Sequence, residues 1–560
     1  MSTASQVETE AAALAASMAD ASARAGSARA GSARAGSAGS AGSEGAVPRQ
    51  GLALADDRRL ALARAIVGLL RRAVVDPAEL EIVLDESGGA AGAVAAPPAR
   101  GGAIVIIRSP DALARLLVPP TPDGFAEAYL RGDIDIRGDV MAAVGAGQTL
   151  DLRRIGARRL SRLVRWTLEL RRGTRTSATL GRVARVAGPR HSRARDMAAV
   201  RFHYDVGDAF YRLWLDRRLT YSCAYFPDDT APASAGDRLD NAQEAKLDLI
   251  ARKLRLRPGD RLLDIGCGWG SLINFAAERY ESEAIGVTLS EKQAAEANVR
   301  AATAGLDDRA RALVLDYRDL AGLGQFDAVA SVGMFEHVGR SNLPAYFRAA
   351  FDALRPGRLF LNHGIATADP PRLGVRPDMR PRTGRFIDRF VFPDGELVRV
   401  EEAVAQARAA GFEVLDVQSL RRHYALTLAG WIARLEEHWT DAVEAAGEEV
   451  ARTWRLYMSG ARLGFERGEL DVCQLLLGKP GPDGRLDVPL RAWWCGSKRI
   501  GAWLGQARGS SWRVARSGCG SAKCRLPRRA ILSDIDPAGL RRGMTGMSRR
   551  GLSRRERGAG

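Results

Sequence analysis

Long apolar runs are missing from this 560-residue chain. No segment approaches the roughly 18–20 apolar residues that a membrane-spanning helix needs, so no spanning helix is expected. The start, MSTASQVETEAAALAAS, places acids where an export signal requires a basic opening. Cysteines are few: Cys223, Cys267, Cys473, Cys495, Cys519 and Cys524. They form no paired framework, which in so long a chain fits a reducing cytoplasm better than a secreted scaffold. The last three have no histidine nearby, so a four-ligand zinc site, or any other metal site, is not expected. Acidic residues run short at the end of the chain, where Cys495–Gly560 holds three Asp and Glu against sixteen Lys and Arg. Thus +13 of the net +17 lies in that appendage and only +4 elsewhere, so no folded basic groove and no specific nucleic-acid partner are expected.

The length allows two or three domains, and 46% hydrophobic with 27% charged residues is ordinary globular composition. Residues 1–50 are low complexity, with ARAGS recurring between Ala23 and Ser37. Such a stretch buries too little apolar surface to offset its ordering entropy and is expected to be disordered. Residues 51–150 read as a small α+β domain: a helix over Asp56–Ala73, a strand at Ala103–Ile107, helices at Asp111–Leu117 and near Phe125–Leu130, then a turn-rich GDIDIRGD. With no His, no Cys and no clustered nucleophile, it carries no sign of catalysis. Residues 151–195 contain LRRIGARRLSRLVRWTLELRR, a basic amphipathic helix. Its apolar stripe (Leu152, Ile155, Leu160, Leu163, Val164, Leu168) suits either a bilayer interface or packing on a neighbouring domain. Residues 196–478 alternate strands and helices, with strands at Arg261–Gly266, Ala284–Ser290, Ala312–Tyr317, Asp327–Gly333 and Gly357–Gly364. That alternation implies a mainly parallel α/β sheet. Residues 479–560 show no sustained period and are expected to be mostly disordered.

Asp264-Ile265-Gly266-Cys267-Gly268-Trp269-Gly270 follows a strand and opens a helix. Its glycines allow close backbone approach to a ligand at the carboxyl end of the sheet. The spacing is G-x-G-x-G, not G-x-G-x-x-G, and the next strand ends in Thr288-Leu289-Ser290 where a dinucleotide fold places an acid. The pattern suits S-adenosylmethionine, which has no pyrophosphate to cradle.

Four further observations converge. HYDVGDAFYRLWLDRRLTYSCAYF (His203–Phe226), LLDIGCGWGSL (Leu262–Leu272), SVGMFEHVG (Ser331–Gly339) and LNHGI (Leu361–Ile365) together resemble the cyclopropane-fatty-acid synthase family, which includes mycolic-acid cyclopropane synthases and methyl-branching relatives. RFVFPDGEL (Arg389–Leu397) and HYALTLAGW (His423–Trp431) extend the resemblance over residues 196–478, and the segment near 100–140 is similar to the N-terminal domain of longer members. The resemblance implies a Rossmann-like class I methyltransferase domain behind a small N-terminal domain. The implied reaction moves a methylene unit from S-adenosylmethionine to the cis double bond of an unsaturated phospholipid acyl chain and closes a cyclopropane ring. It also implies a bound bicarbonate as base, held by Cys223, Glu336, His363, the backbone of Ile365, and Tyr424. Cofactor contacts carried over are Tyr221 and Ser222 at the methionine end, Asp264, Gly266, Gly268 and Gly270 in the loop, Thr288 and Gln293 at the ribose, and Asp316 and Tyr317 at the adenine. Tyr204, Phe210, Tyr221, Tyr225, Phe226 and Phe335 are candidates to line the acyl tunnel and face a cation, while His337 reads as structural and His203 is open. Asp208 departs from the family's asparagine. The implied setting is the cytoplasmic face of a membrane, with phospholipid as partner and room for a homodimer. Three other readings remain: a methylene or methyl branch formed through the same carbocation, a basic membrane- or nucleic-acid-binding protein on a degenerate scaffold, and a small-molecule methyltransferase, against which the HYD and YSCAYF segments point to lipid.

Overall fold

The structure, a computed structural model, describes residues 50–76, 79–86, 102–117, 121–148, 151–172, 174, 179–227, 235–368 and 384–495. The ARAGS repeats, the arginine-rich stretch after Cys495, Cys519 and Cys524 lie outside the described residues.

The N-terminal part begins with α1 (Gln50–Ala73), whose Ala63, Ile66, Val67 and Leu70 recur at helical spacing and are buried. Three strands follow in order β1 (Leu80–Leu84), β2 (Ala103–Ile107) and β3 (Ile134–Gly138), with β1 parallel and β3 antiparallel to β2. Every residue of β2 is buried, so both faces of this small sheet are covered. Between β2 and β3 lie α2 (Pro110–Leu116) and α3 (Pro122–Leu130), each with proline in its first turn. Ser109 and Thr121 cap them, accepting from the Ala112 and Gly124 N–H groups at 3.1 and 3.0 Å. GDIDIRGD is therefore a strand rather than a turn. Its charged residues masked the period-two burial of Ile134 and Ile136. A further helix, α4 (Val140–Gln148), closes this part.

The basic amphipathic segment breaks at Gly156 (φ +77°) into a 3₁₀ turn, Leu152–Ile155, and α5 (Ala157–Arg171). Ile155, Leu163, Thr167 and Leu170 are buried, and α5 packs on α1 and α2. Much of its apolar stripe is thus taken by neighbouring helices, while Leu168 and Arg158, Arg159, Arg162 and Arg165 are exposed.

The second part opens with α6 (Arg193–Tyr204), α7 (Asp208–Trp214) and α8 (Ala235–Lys253). Then β4 (Arg261–Ile265), α9 (Ser271–Tyr280), β5 (Glu283–Thr288), α10 (Glu291–Thr303), β6 (Ala310–Val314), β7 (Phe326–Val332), α11 (Leu343–Ala353) and β8 (Leu354–Thr367) alternate. After α12 (Gly384–Phe390) and α13 (Val400–Ala409) come β9 (Glu413–Ser419), α14 (Arg421–Glu437), α15 (Trp439–Ala446), α16 (Glu448–Arg467) and β10 (Leu470–Gly478). The sheet runs β6-β5-β4-β7-β8-β10-β9, parallel except for β10, which is antiparallel to both neighbours. This is the Rossmann-like α/β arrangement of a class I methyltransferase. Order continues past Gly478: Leu486, Val488, Trp493 and Trp494 pack on the sheet's core, and the Trp493 indole N–H donates to the Arg252 carbonyl at 3.1 Å. These isolated anchors have no period from which an ordered segment could be read.

Helix α16 joins the two parts. Arg452, nearly buried, donates to the carbonyls of Tyr129 and Ile134 at 3.0 and 3.2 Å and to Glu448 at 2.8 Å. Arg455 donates to the Tyr129 hydroxyl and the Ile136 carbonyl. A single apolar core runs from α1 and β2 through α7 and α14 to α16.

Candidate active site

Two cavities meet at the carboxyl ends of β4, β5, β7 and β8, where ligands bind in such sheets. The smaller is a groove of about 90 Å³ lined by Gly266, Gly268, Thr288, Gln293 and Tyr317 of the expected cofactor contacts. Gly266 (φ +85°) has to be glycine, because a Cβ there would lie 2.6 Å from that of Met334, another residue of the wall. The Thr288 hydroxyl donates to Gln293 Oε1 at 2.8 Å, and Ser290 caps α10 by accepting the Gln293 N–H. Arg318, which follows Tyr317 in the strand-end segment expected at the adenine, completes the polar rim with Asp196 and Asp394, which no motif singled out as ligand contacts.

Three expected cofactor contacts lie outside both walls. Gly270 (φ +78°) serves packing, since its Cβ would fall 2.8 Å from that of Ala297 on α10. Asp316 is occupied by Arg318, whose backbone and guanidinium N–H groups donate to it at 2.7–2.9 Å and hold its pKa down against burial. Asp264 is buried with Oδ1 unpartnered, and burial pushes its pKa up to about 7. Asp208 has a use: its carboxylate accepts the Trp269 indole N–H at 2.8 Å, tying the HYD segment to the glycine loop.

The larger cavity, about 750 Å³, is lined by Tyr221, Ser222, Cys223, Glu336, His363, Ile365 and Tyr424 together. Tyr204, Gly333 and His337 border both cavities, so the two are contiguous. Tyr221 and Ser222 thus sit on the larger side of that junction. Glu336 lies in a 3₁₀ turn just after β7, and its Oε1 accepts the Ile365 N–H of β8 at 2.6 Å. Oε2 has no partner, and burial pushes the carboxyl's pKa up to about 7. His363 stands opposite Gln474 across the β8–β10 ladder, and the Gln474 amide N–H donates to Nδ1 at 3.3 Å. That leaves the ring proton on Nε2, which has no partner, and burial keeps the ring neutral by lowering its pKa well below the usual range. Burial likewise raises Cys223 and Tyr424, so both remain protonated donors. The Cys223 thiol points at the carbonyls of Ala224 and Leu420, at 3.3 and 3.7 Å.

Beyond this polar end the wall is mostly apolar, with Thr121, Asp123, Thr367 and Glu469 as exceptions, and much of it comes from the N-terminal part: Leu70, Ile82, Val105, Ile107, Phe125 and Ala143 among others. The small domain without catalytic groups therefore builds about a third of the chamber wall. Of the aromatic candidates, Tyr204 and Tyr221 line it; Phe210 and Phe335 are core residues, and Tyr225 and Phe226 lie outside the wall. Tyr457 of α16 lines it too, though no motif marks that residue. His203 is a packing residue, donating from Nδ1 to the Val391 carbonyl at 2.8 Å and stacking on Phe392. His337, expected to be structural, borders both cavities with its pKa lowered to about 4 by burial.

Residues 191–475 match the family model described as mycolic acid cyclopropane synthetase. A "probable fatty acid methyltransferase" from Pseudomonas putida is 46% identical over 301 residues, 53% of this chain and 73% of that protein. A second "probable fatty acid methyltransferase", from Mycobacterium tuberculosis, is 39% identical over 406 residues, 69% of this chain and 90% of that protein. The cyclopropane-fatty-acyl-phospholipid synthase of Escherichia coli K12 is 34% identical over 304 residues, 54% of this chain and 74% of that protein.

Proposed function

Because this chain belongs to the mycolic acid cyclopropane synthetase family of S-adenosylmethionine-dependent methyltransferases, we propose that it adds a methylene unit across the cis double bond of an unsaturated phospholipid acyl chain, closing a cyclopropane ring. One observation carries the reading. A polar cluster of Cys223, Glu336, His363 and Tyr424 stands where the cofactor groove opens into a mostly apolar chamber. A chamber of about 750 Å³ falls within the range of roughly 300–1,000 Å³ that encloses a ligand of some tens of atoms.

S-adenosylmethionine, when bound, supplies an electrophilic methyl group. An unactivated alkene is a weak nucleophile, so the protein's contribution is alignment and exclusion of water. The aliphatic wall does the second. Methylation leaves a carbocation on the acyl chain, and Tyr204 and Tyr221, which line the chamber, are the aromatic groups available to it. Loss of a proton from the new methyl group closes the ring, so a base is needed inside the apolar chamber. Bicarbonate would supply that base, and the residues present fit it: His363 Nε2–H and the protonated Tyr424 are donors, the unpartnered Glu336 Oε2 can accept its hydroxyl, and the Cys223 thiol would join them by turning from the Ala224 and Leu420 carbonyls. With a pKa near 7, Glu336 can also hold or release a proton close to neutrality.

A second reading keeps the carbocation but ends in a hydride shift and proton loss, giving a methylene branch. In its favour, the two relatives of higher identity both carry the name fatty acid methyltransferase. For substrate access, the exposed arginines of α5 offer charge to anionic headgroups at a membrane surface. Among the described residues no helix is long and apolar enough to cross a membrane.

The test is incubation with labelled S-adenosylmethionine and vesicles of unsaturated phospholipid, followed by mass spectrometry before and after mild hydrogenation. A ring survives hydrogenation, whereas a methylene branch takes up hydrogen. Olefinic lipid left unmodified, together with efficient methylation of a polar nitrogen or oxygen compound, would overturn both readings.

A further inference from the structure

Lys246 lies in α8 on the face turned to the YSC segment and is almost completely buried. Its Nζ donates to Ser222 Oγ at 2.6 Å. One turn away, Gln243 donates from Nε2 to the carbonyls of Thr220 and Ser222 at 3.2 and 2.9 Å. These two side chains fix the short segment that carries Tyr221, Ser222 and Cys223 into the large cavity.

Gln243 is enough to hold the backbone, so the ammonium calls for a separate account. Among the described residues no carboxylate comes within ion-pair distance of Lys246. Asp216, whose carboxylate accepts the Thr220 and Arg218 N–H groups, is the largest opposite charge acting on Lys246, and Asp264 acts on it too, but neither makes an ion pair with the ammonium. Burial pulls the lysine's pKa down to about 8, which leaves it charged at neutral pH. A buried cation whose described acceptor is one neutral hydroxyl is costly unless an anion completes the site.

The geometry says where that anion belongs. Lys246 donates into a lone pair of Ser222 Oγ, so the serine's own proton is free to point elsewhere. Ser222 lines the large cavity, and its Cβ lies beside Gly333, which borders both cavities. We propose that Lys246 is a positioning residue: it makes Ser222 a polarised O–H donor toward a carboxylate-type anion at the junction of the two cavities. Two sources fit that chemistry, the carboxylate of the methionine part of S-adenosylmethionine and bicarbonate. The assignment rests on the proposed S-adenosylmethionine-dependent reaction and gives it a residue that neither motif nor spacing singled out.

The experiment compares the full chain with Lys246→Met, Ser222→Ala and the double variant. Titration calorimetry measures S-adenosylhomocysteine and 5′-methylthioadenosine, which lacks the amino-acid carboxylate; turnover is measured against added bicarbonate. If the anion is the cofactor's, Lys246→Met weakens S-adenosylhomocysteine about tenfold or more and leaves methylthioadenosine within about twofold. If it is bicarbonate, both nucleosides bind as before and the half-saturating bicarbonate concentration rises about tenfold. In either arm Ser222→Ala reproduces the effect and the double variant adds little, because the two residues act as one unit. Ser222→Ala removes a single oxygen, so it answers the question even if Lys246→Met fails to fold. Equal weakening of both nucleosides, or no change in any of the three quantities, overturns the assignment. Wild-type chain that binds neither nucleoside overturns the cofactor reading itself, a different failure.

Discussion

In a Glu336→Gln variant a buried carboxyl gives way to a neutral amide of nearly the same size, and the structure sets the sign and size of the effect. Burial raises the carboxyl's pKa from 4.5 to about 7, partly opposed by the Ile365 N–H at 2.6 Å. At about 1.4 kcal/mol for each pKa unit, the ionised side chain costs the fold about 3 kcal/mol. The folded state holds this proton more tightly than the unfolded chain does. The wild type therefore loses stability as pH rises from about 4.5 to 7, and above 7 the full penalty applies. Glutamine escapes that penalty, and the hydrogen bond from the Ile365 N–H to the ionised carboxylate is already contained in the pKa of about 7. The variant should thus be more stable than wild type by about 3 kcal/mol at pH 8 and by only about 1 kcal/mol at pH 5. Urea unfolding at the two pH values, followed by tryptophan fluorescence, measures the difference. Turnover should fall by about a hundredfold or more, with S-adenosylhomocysteine affinity within about twofold because Glu336 is not in the groove wall. A variant with no gain at pH 8 relative to pH 5, or one that loses cofactor affinity as strongly as turnover, would refute the reasoning.

Three other outcomes are expected. Ala143→Phe places a ring in the N-terminal wall of the chamber and should shift preference toward shorter acyl chains, read by competition between phospholipids in mixed vesicles. Gly266→Ala forces a Cβ against Met334 at a positive φ; S-adenosylhomocysteine affinity should fall about tenfold or more by calorimetry. Arg452→Leu strands the carbonyls of Tyr129 and Ile134 and should lower stability by about 2–4 kcal/mol, seen as a lower thermal midpoint.

The catalytic half was legible because its signals are local. Strand, glycine loop and helix follow one another at Arg261–Tyr280, and the expected strand at Asp327–Gly333 is offset by one residue from β7. Strands β9 and β10 were not, since a short apolar run such as that of β10 does not distinguish a buried strand from a helix. In the site, residues in rare strings (Cys223, Glu336, His363, Tyr424) do reach one cavity. Gly270 and Asp316 looked like ligand contacts because they sit beside the loop and the strand end, yet packing and an arginine claim them. Lys246 and Ala143 carry no motif at all; only tertiary structure brings them to the chamber or to a residue that lines it.

On the proposed carbocation reading, the anchoring of the small domain through Arg452 and Arg455 would bear on which product forms, not merely on how fast. A methylated acyl cation discharges toward whatever Lewis base reaches it first. If the Tyr129–Ile136 seam is loosened, solvent leaks in behind Ile107 and Phe125, and part of the output becomes hydroxylated lipid. On that reading the domain with no reactive side chain is the gasket on which the proposed ring closure would depend.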